Sequence, residues 1–342
     1  MLKRICIFSC ALALVLSSRP ALSDWTPPAA GDPHTTWVYR PSSTLESGQH
    51  GLMLVLHGCS QANTDLKRFG HLEEAAEDGG IILAVPSVGS NAFGPGCWDY
   101  NGAADLHGYV QDMIALTRNL LSRPELNIDG NRVYAVGLSS GAALSLLLGC
   151  KAPDLFSGIG AIAGPSVGSN QLDALNPGLE IPSTNVAEAI STCKGLAGDK
   201  APFLADQVAN IAYGDMDRDG PDATFKYTPG DTKHPGQYSV VSIKWSLDNI
   251  SVLRSLYGAD ELSPPRLIQD GRGIEQSARV AGATRLSLLV VHNVGHAWPA
   301  GSNNADRDGL GGVWIAQEGL DYASYVTRWF LQNARRANPV TR

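Results

Sequence analysis

The sequence lacks a second long hydrophobic run. After an apolar stretch from residue 5 to residue 16, no segment approaches the ~20 apolar residues that a membrane-spanning helix needs. It also lacks any Pro-rich, Thr-rich or Ser/Gly-rich linker and any internal repeat. We therefore expect no membrane partner, and a single globular domain without a separate accessory module.

The first 23 residues combine a basic start, a short apolar core and a small-residue end. Lys3 and Arg4 precede the apolar stretch, and Ala21-Leu22-Ser23 follows it. This is the pattern of a cleaved secretory signal. We expect residues 1–23 to be removed, and residues 24–342 to form a mature domain that is secreted or periplasmic.

Basic residues are scarce. The chain has 26 Lys and Arg against 33 Asp and Glu, for a net charge of −7, and the predicted signal holds three basic residues and no acid. The mature chain therefore carries −7 − 3 = −10. This acidic balance argues against nucleic acid or an anionic membrane surface as a partner.

Cysteine is rare: there are six, and two of them lie in the predicted signal. The other four, Cys59, Cys97, Cys150 and Cys193, are an even number in a chain that we expect to be exported. This favours two disulfides over free thiols, although three pairings are possible. We favour Cys59 with Cys97 and Cys150 with Cys193, because each pair would flank one layer of the candidate site.

Continuous apolar runs alternate with helix-like stretches along the chain. Such runs are typical of buried parallel strands, and their alternation with helices predicts an α/β fold with a doubly wound, mostly parallel sheet. Reactive loops of such sheets gather at the carboxyl ends of the strands. We predict strands at residues 52–56, 81–85, 133–136, 159–162, 208–213 and 286–291, and helices at residues 66–77, 106–121, 143–148 and 319–334.

The third predicted strand leads into the motif G-x-S-x-G, from Gly137 to Gly141. Because an apolar strand precedes the motif and an apolar helix follows it, this pattern predicts a nucleophile elbow. Glycines on both sides relieve the crowding of the sharp turn and leave the hydroxyl of Ser139 accessible. The sequence therefore predicts Ser139 as a nucleophile.

A serine hydroxyl needs a base, and the base needs an orienting carboxylate. His296 follows the last predicted strand and a glycine, so we assign it as the base and give the nearby His292 a structural role. The acid is Asp217 or Asp215. Hydrolases of this type usually carry the acid three residues after the glycine that closes the strand, which favours Asp217 after Gly214. The order Ser, Asp, His is that of α/β-hydrolases.

Two backbone N–H groups should form the oxyanion hole, one after the nucleophile and one from the loop after an earlier strand. Ser140 supplies the first. Cys59, which follows His57 and Gly58, supplies the second, and we interpret His57 as structural.

Two acidic segments, at residues 215–220 and 304–309, show the start of a calcium-binding loop. Both lack the Glu that such a loop needs at its twelfth position, where Lys226 and Ile315 stand instead. We interpret both segments as solvated turns and predict no metal and no cofactor, with calcium in the second segment as the alternative.

Taken together, four segments make the chain similar to the extracellular poly(3-hydroxybutyrate) depolymerases of the esterase type, within the α/β-hydrolase superfamily. They are Leu56 to Gln61, Gly96 to Tyr100, Asn131 to Gly141 and Gly295 to Pro299. The resemblance implies a triad of Ser139, Asp217 and His296, an oxyanion hole of the Cys59 and Ser140 amides, and the same pairing of Cys59 with Cys97.

The resemblance also implies a substrate for the site. We expect Trp98 to line the crevice for a 3-hydroxyacyl unit and weigh Trp298 as a second contact, with packed core as the alternative for both tryptophans. The implied activity is hydrolysis of polyhydroxyalkanoate ester bonds through an acyl-enzyme. The missing accessory module favours amorphous polymer or soluble oligomers as the substrate.

Three alternatives stay open at this point. The same triad can serve a feruloyl or acetyl carbohydrate esterase, or a poly(aspartic acid) hydrolase. The last would require basic residues around the crevice. A third alternative is a hydrolase-fold protein that binds a ligand without catalysis. The basic residues that could line the crevice of a poly(aspartic acid) hydrolase are Arg218, Lys226, Lys233, Lys244, Arg272 and Arg307.

Overall fold

The computed structural model describes residues 24–89, 96–99, 108–169, 184–223, 239–301 and 314–334. The predicted signal, residues 1–23, lies outside the described residues, as does the second acidic segment, residues 304–309.

Ten of the twelve described strands form one sheet. They are β1 (Asp24–Thr26), β2 (Trp37–Arg40), β3 (His50–Leu56), β4 (Ile81–Val85), β5 (Ile128–Leu138), β6 (Gly158–Ile162), β7 (Val208–Gly214), β8 (Arg266–Ile268), β9 (Gly273–Val280) and β10 (Ala283–Val291). Two short strands, β11 (Trp298–Pro299) and β12 (Ile315–Ala316), pair with each other. The order in the large sheet is β1-β2-β4-β3-β5-β6-β7-β10-β9-β8.

The six central strands of this sheet, β4-β3-β5-β6-β7-β10, are parallel, and two antiparallel strands flank them on each side. All residues of β3, β4, β6 and β7 are buried. Strands covered on both faces have continuous apolar sequences, which explains why these four were visible as runs. The α/β-hydrolase fold class, with its mostly parallel sheet, is confirmed.

Seven described helices accompany the sheet. They are α1 (Asn63–Phe69), α2 (Leu72–Gly79), α3 (Tyr109–Leu121), α4 (Ser140–Lys151), α5 (Val186–Ala197), α6 (Lys244–Tyr257) and α7 (Tyr322–Asn333). Short 3-10 segments lie at Pro124–Leu126, Gly198–Asp206 and Gln269–Gly271. No helix in the described ranges is long and apolar enough to span a membrane.

Helices cover both faces of the sheet, and the sheet separates the core into two clusters. One cluster joins α3, α4 and α6 to one face, around residues such as Leu144 and Ile250. The other joins α2 and α7 to the opposite face, around residues such as Val136 and Phe330. Helix α4 is apolar on all sides because nearly all of its residues are buried.

The structure departs from the predicted elements at several places. The helix predicted at residues 66–77 is two helices, because α1 ends at Phe69 and His71 adopts a left-handed backbone conformation with φ of 55°. The sequence pattern did not indicate α5, α6 or the antiparallel edge strands. These elements have one exposed face, so their apolar residues form no continuous run.

Candidate active site

Ser139 lies at a sharp turn between β5 and α4. Its backbone has φ of 56° and ψ of −117°, a conformation that residues with a side chain rarely adopt. The Ser139 N–H donates to the carbonyl of Ile162 at the end of β6, over 2.9 Å. Strained backbone of this kind at the end of a strand is the geometry of a nucleophile elbow.

The two glycines of the motif are needed for close packing. A Cβ atom at Gly137 would lie 2.3 Å from the carbonyl carbon of Gly141. A Cβ atom at Gly141 would lie 2.4 Å from the carbonyl oxygen of Leu56 and 2.5 Å from that of His57. The first turn of α4 therefore packs directly against the loop after β3, and the residue with positive φ is Ser139 itself.

Asp217 and His296 form a buried pair. The Nδ1 atom of His296 lies 2.8 Å from Oδ2 of Asp217. Both residues are at most 5% exposed. The other carboxylate oxygen of Asp217 accepts three backbone N–H groups, from Arg218, Val240 and Val241, over 2.8–2.9 Å. Both carboxylate oxygens of Asp217 are thus in use, and Nε2 is the ring nitrogen of His296 that does not face this carboxylate.

Backbone hydrogen bonds join the strand ends that carry the three predicted residues. Ser139 donates to Ile162, Ala163 donates to Ala212, and Asp215 donates to Val291. Strands β5, β6, β7 and β10 are thus linked, in this order, at their carboxyl ends. The nucleophile loop, the acid loop and the histidine loop lie along one edge of the sheet, as the sequence predicted.

A second pair of the same kind lies beside the first. His292 Nδ1 is 2.8 Å from Oδ2 of Asp215, and the Asp215 side chain is buried whereas that of His292 is 30% exposed. Asp219 accepts a hydrogen bond from the Ser242 hydroxyl. The interpretation of residues 215–220 as a solvated turn is therefore wrong for Asp215 and Asp217, which are buried and pair with histidines. No group of metal-ligating side chains occurs among the described residues.

The predicted oxyanion donors flank the elbow. A Cβ atom at Gly58 would lie 3.4 Å from Cβ of Ser139, so the loop that carries Cys59 touches the nucleophile residue. The side-chain oxygen of Gln61 accepts from the Gly58 N–H over 3.0 Å and closes this loop into a turn. Ser140 begins α4, where backbone N–H groups have no partner within the helix. Both amides therefore lie beside Ser139.

Two disulfides join Cys59 to Cys97 and Cys150 to Cys193. The predicted pairing is confirmed. The first ties the loop after β3 to the segment 96–99, and the second ties the end of α4 to α5.

Neither predicted substrate-contact tryptophan offers a surface to a ligand. Trp98 and Trp298 are both 0% exposed. Their indole N–H groups donate to the carbonyls of His57 and Gly70, each over 3.0 Å. The prediction of a substrate contact is wrong for both, because their rings pack inside the protein and their polar ends are satisfied by the backbone.

His57 is a buried structural residue of the same loop. Its Nδ1 lies 2.8 Å from the Gly58 carbonyl, and its Nε2 lies 3.1 Å from the Val88 N–H. These contacts suit a neutral ring that donates through Nδ1 and accepts through Nε2. Burial lowers the pKa of His57 to about 4, although the hydrogen bond to Gly58 opposes this shift. The ring is thus neutral at pH 7 and braces the loop without a charge.

Three of the six basic residues proposed for a poly(aspartic acid) hydrolase lie among the described residues. Arg218 follows Asp217 directly, Lys244 begins α6, and the Arg272 carbonyl accepts from the His292 N–H. Their segments meet near the acid loop, because the Ile243 N–H donates to the Arg218 carbonyl and the His292 ring pairs with Asp215. Lys226, Lys233 and Arg307 lie outside the described residues.

Sequence reasoning missed two features of the site. It did not pair Asp215 with His292, although the spacing of two residues between the acids and four between the histidines could have suggested parallel pairs. It also missed the contacts of Trp98 with the loop after β3. The residue type of a tryptophan does not indicate which backbone carbonyl its indole contacts.

Comparison with known proteins adds a family match. Residues 36–176 match the family described as "Esterase PHB depolymerase". The chain is 26% identical over 366 residues to a poly(3-hydroxybutyrate) depolymerase of Ralstonia pickettii, an alignment that covers 99% of this chain and 68% of that protein. The resemblance indicated by the motifs is confirmed.

Carbohydrate esterases also share similarity with the chain. Acetylxylan esterase A of Aspergillus ficuum is 24% identical over 152 residues, covering 41% of this chain and 47% of that protein. Among solved structures, the acetyl xylan esterase from Aspergillus awamori superposes with a TM-score of 0.57 at 16% identity, covering 80% of this chain and 94% of that one. The structural likeness shows a common fold. The chain spans about two thirds of the depolymerase and less than half of acetylxylan esterase A.

Proposed function

We propose that this chain, an esterase of the α/β-hydrolase fold that is similar to the esterase PHB depolymerases, cleaves polyhydroxyalkanoate ester bonds through an acyl-enzyme. The observation that carries the proposal is the buried pair of Asp217 and His296, which lies at the same edge of the sheet as the strained Ser139. These are the parts that a serine hydrolase needs.

In the acylation step the Ser139 hydroxyl attacks the ester carbonyl, and Nε2 of His296 accepts its proton. Asp217 keeps the proton of His296 on Nδ1 and stabilises the imidazolium that forms. The negative charge on the carbonyl oxygen is held by the amides of Cys59 and Ser140. His296 then protonates the leaving alcohol, and an ester of Ser139 remains.

In the deacylation step His296 takes a proton from water, which attacks the acyl-enzyme carbonyl. The second tetrahedral intermediate uses the same two amides. Its collapse returns the proton from His296 to Ser139 and releases a hydroxyacid or a shorter oligomer. Besides the ester and one water molecule, the two steps use side chains and backbone groups of this chain.

The polyester as substrate is supported by the family match, which covers the loop after β3 and the elbow, and by the full-length alignment with the depolymerase. Two disulfides are compatible with an oxidising compartment. We accordingly propose that the protein acts after export, in the periplasm or outside the cell.

A second candidate substrate is an acetylated carbohydrate, which is favoured by the similarity to acetylxylan esterases in sequence and fold. This function uses the same triad and differs only in the groups around the crevice. Poly(aspartic acid) has less support, because this anionic polymer would meet a chain whose own net charge is −7.

The test is product release from amorphous poly(3-hydroxybutyrate), acetylated xylan and poly(aspartic acid) in parallel, with Ser139→Ala as the control. We expect release of hydroxyacid from the polyester only, and none from the variant. Turnover of xylan acetate alone would retain the triad and replace the substrate. Full activity of Ser139→Ala would refute the mechanism.

A further inference from the structure

We infer that Trp98 is a positioning residue for the oxyanion hole, because its indole and backbone N–H groups hold the two segments that carry the predicted donors. This inference rests on the proposed function. Trp98 has no exposed surface, so we assign its effect on a bound ester to the backbone around it.

The first contact holds the loop after β3. The Trp98 indole N–H donates to the carbonyl of His57 over 3.0 Å. From the other side, Gly141 packs so closely that a Cβ atom there would lie 2.5 Å from the same carbonyl oxygen. The His57 peptide is thus held between the indole and the first turn of α4. The Cys59 amide lies one peptide unit further along the chain.

The second contact holds the start of α4. The backbone N–H of Trp98 donates to the hydroxyl oxygen of Ser140, over 3.4 Å. Ser140 is 1% exposed, and its own amide is the other predicted donor. A single residue therefore contacts both segments of the oxyanion hole, one through its side chain and one through its main chain.

The tryptophan is itself fixed in place. Its neighbour Cys97 is joined by a disulfide to Cys59, so the chain that carries the indole is covalently linked to the loop that it supports. The indole packs edge-on against Tyr109, with ring centroids 5.6 Å apart, and lies against the imidazole of His57 at 5.2 Å. These contacts favour the orientation in which the indole N–H faces the His57 carbonyl.

Placement of these amides affects the transition state more than the ground state. An oxyanion forms in both acylation and deacylation, and its donors must lie at hydrogen-bond distance from a charge that the bound ester does not yet carry. Removing one such donor typically slows catalysis by about 10²–10³. A donor that is displaced instead of removed should cost less, so we expect a loss of about tenfold or more.

The decisive variant is Trp98→Phe, which keeps an aromatic ring and removes the indole N–H. Its matched control is Trp329→Phe in α7, where an indole that is 6% exposed is replaced in the same way outside the site. A milder variant, Ser140→Ala, keeps the Ser140 amide and removes only the acceptor for Trp98. All three are assayed with a soluble p-nitrophenyl ester, and the unfolding of each is measured.

The proposal predicts that kcat of Trp98→Phe falls about tenfold or more relative to Trp329→Phe, while KM changes by less than about twofold. Affinity for a trifluoromethyl ketone, whose adduct with Ser139 carries the oxyanion, should fall by the same factor as kcat. Ser140→Ala should show a smaller loss of the same type. If Trp98→Phe does not fold, Ser140→Ala alone decides the outcome.

Equal kcat values and equal ketone affinities in Trp98→Phe and Trp329→Phe would overturn the positioning role. Loss of kcat with unchanged ketone affinity would also overturn it, because the oxyanion hole would then be intact. The wild-type protein and Ser139→Ala are assayed first with the same ester. Turnover that depends on Ser139 separates failure of this inference from failure of the proposed function.

Discussion

Asp217 holds His296 through a contact of 2.8 Å between Oδ2 and Nδ1, and its second oxygen is fixed by three backbone N–H groups. The carboxylate therefore cannot follow the histidine if the ring moves. It sets the orientation of the ring, and in the proposed mechanism Nε2 is the atom that exchanges protons.

Replacement of Asp217 with Asn should lower kcat by about 10⁴, because the amide no longer fixes the proton of His296 on Nδ1. The fold should persist, since the amide oxygen can still accept the backbone N–H groups. Asp215→Asn is the control: it changes the pair with His292, and we expect a loss below about tenfold. Initial rates on a soluble ester measure both variants, and equal losses would contradict the assignment of the acid.

Replacement of Gly141 with Ala should destabilise the protein by about 1–3 kcal/mol or more, because the new Cβ atom meets two rigid backbone carbonyls. Gly195 in α5 is the matched control. A Cβ atom there meets no atom within 4 Å, and alanine in a helix should stabilise by about 0.5–1 kcal/mol. Urea unfolding measures both free energies. A shift of the same sign in the two variants would contradict this account of the elbow.

The free energy of unfolding should fall as the pH is lowered from 6.5 to 4 because of His57. Its pKa of about 4 in the folded protein lies below the ordinary value of 6.5. In this window the unfolded chain binds a proton that the folded protein does not. The stabilisation is therefore complete above pH 6.5 and decreases by ~3 kcal/mol toward pH 4.

Urea titrations at several pH values measure this slope, and His57→Asn provides the reference without a titrating ring. The wild type should lose more stability than the variant across the window. Parallel curves for the two proteins would show that His57 does not titrate as the buried contacts require.

Stability should also fall on the alkaline side because of His71. The Asp321 carboxylate, 2.7 Å from Nδ1, and the Glu74 carboxylate, 2.5 Å from Nε2, raise its pKa to about 9, against the effect of burial. The charged ring stabilises the fold fully below pH 6.5, and this contribution is lost as the pH rises through 9. We expect a loss on the order of 2 kcal/mol.

NMR titration of the His71 ring gives the pKa directly. His71→Gln should flatten the stability curve between pH 6.5 and 9 and leave the acid side unchanged. A ring that titrates near pH 6.5 would contradict the ion pairs of His71 with Asp321, which precedes α7, and with Glu74 in α2.

The sequence predicted the strands that are fully buried, because their apolar residues form continuous runs. Strand β4 was predicted with its observed ends because all five of its residues, Ile81 to Val85, are buried. Strand β9 was not predicted, because buried and part-exposed residues alternate along it and a charged residue, Glu275, is buried there at 7% exposure. That glutamate is accommodated by hydrogen bonds from Tyr325 and Ser287, which are distant in sequence.

The residues that follow the strand ends could be predicted from the sequence. The residues whose position depends on packing between distant segments could not. The interval of three residues after Gly214, which is usual in hydrolases of this type, was enough to favour Asp217 over Asp215. The environment of Trp98 was not predictable, because an indole suits a crevice wall and a core equally well. Its burial depends on Tyr109 and His57, which approach from other segments.

The short strands at the two margins of the large sheet bear on how the protein avoids self-association. Strands β1 and β8 have three residues each, and they include the charged residues Asp24 and Arg266. Two prolines, Pro264 and Pro265, directly precede β8. A short, charged edge strand offers another chain few unpaired N–H and C=O groups, so edge-to-edge aggregation is disfavoured at both edges of the sheet. Such protection would matter most to a chain that folds where cytoplasmic chaperones cannot reach it.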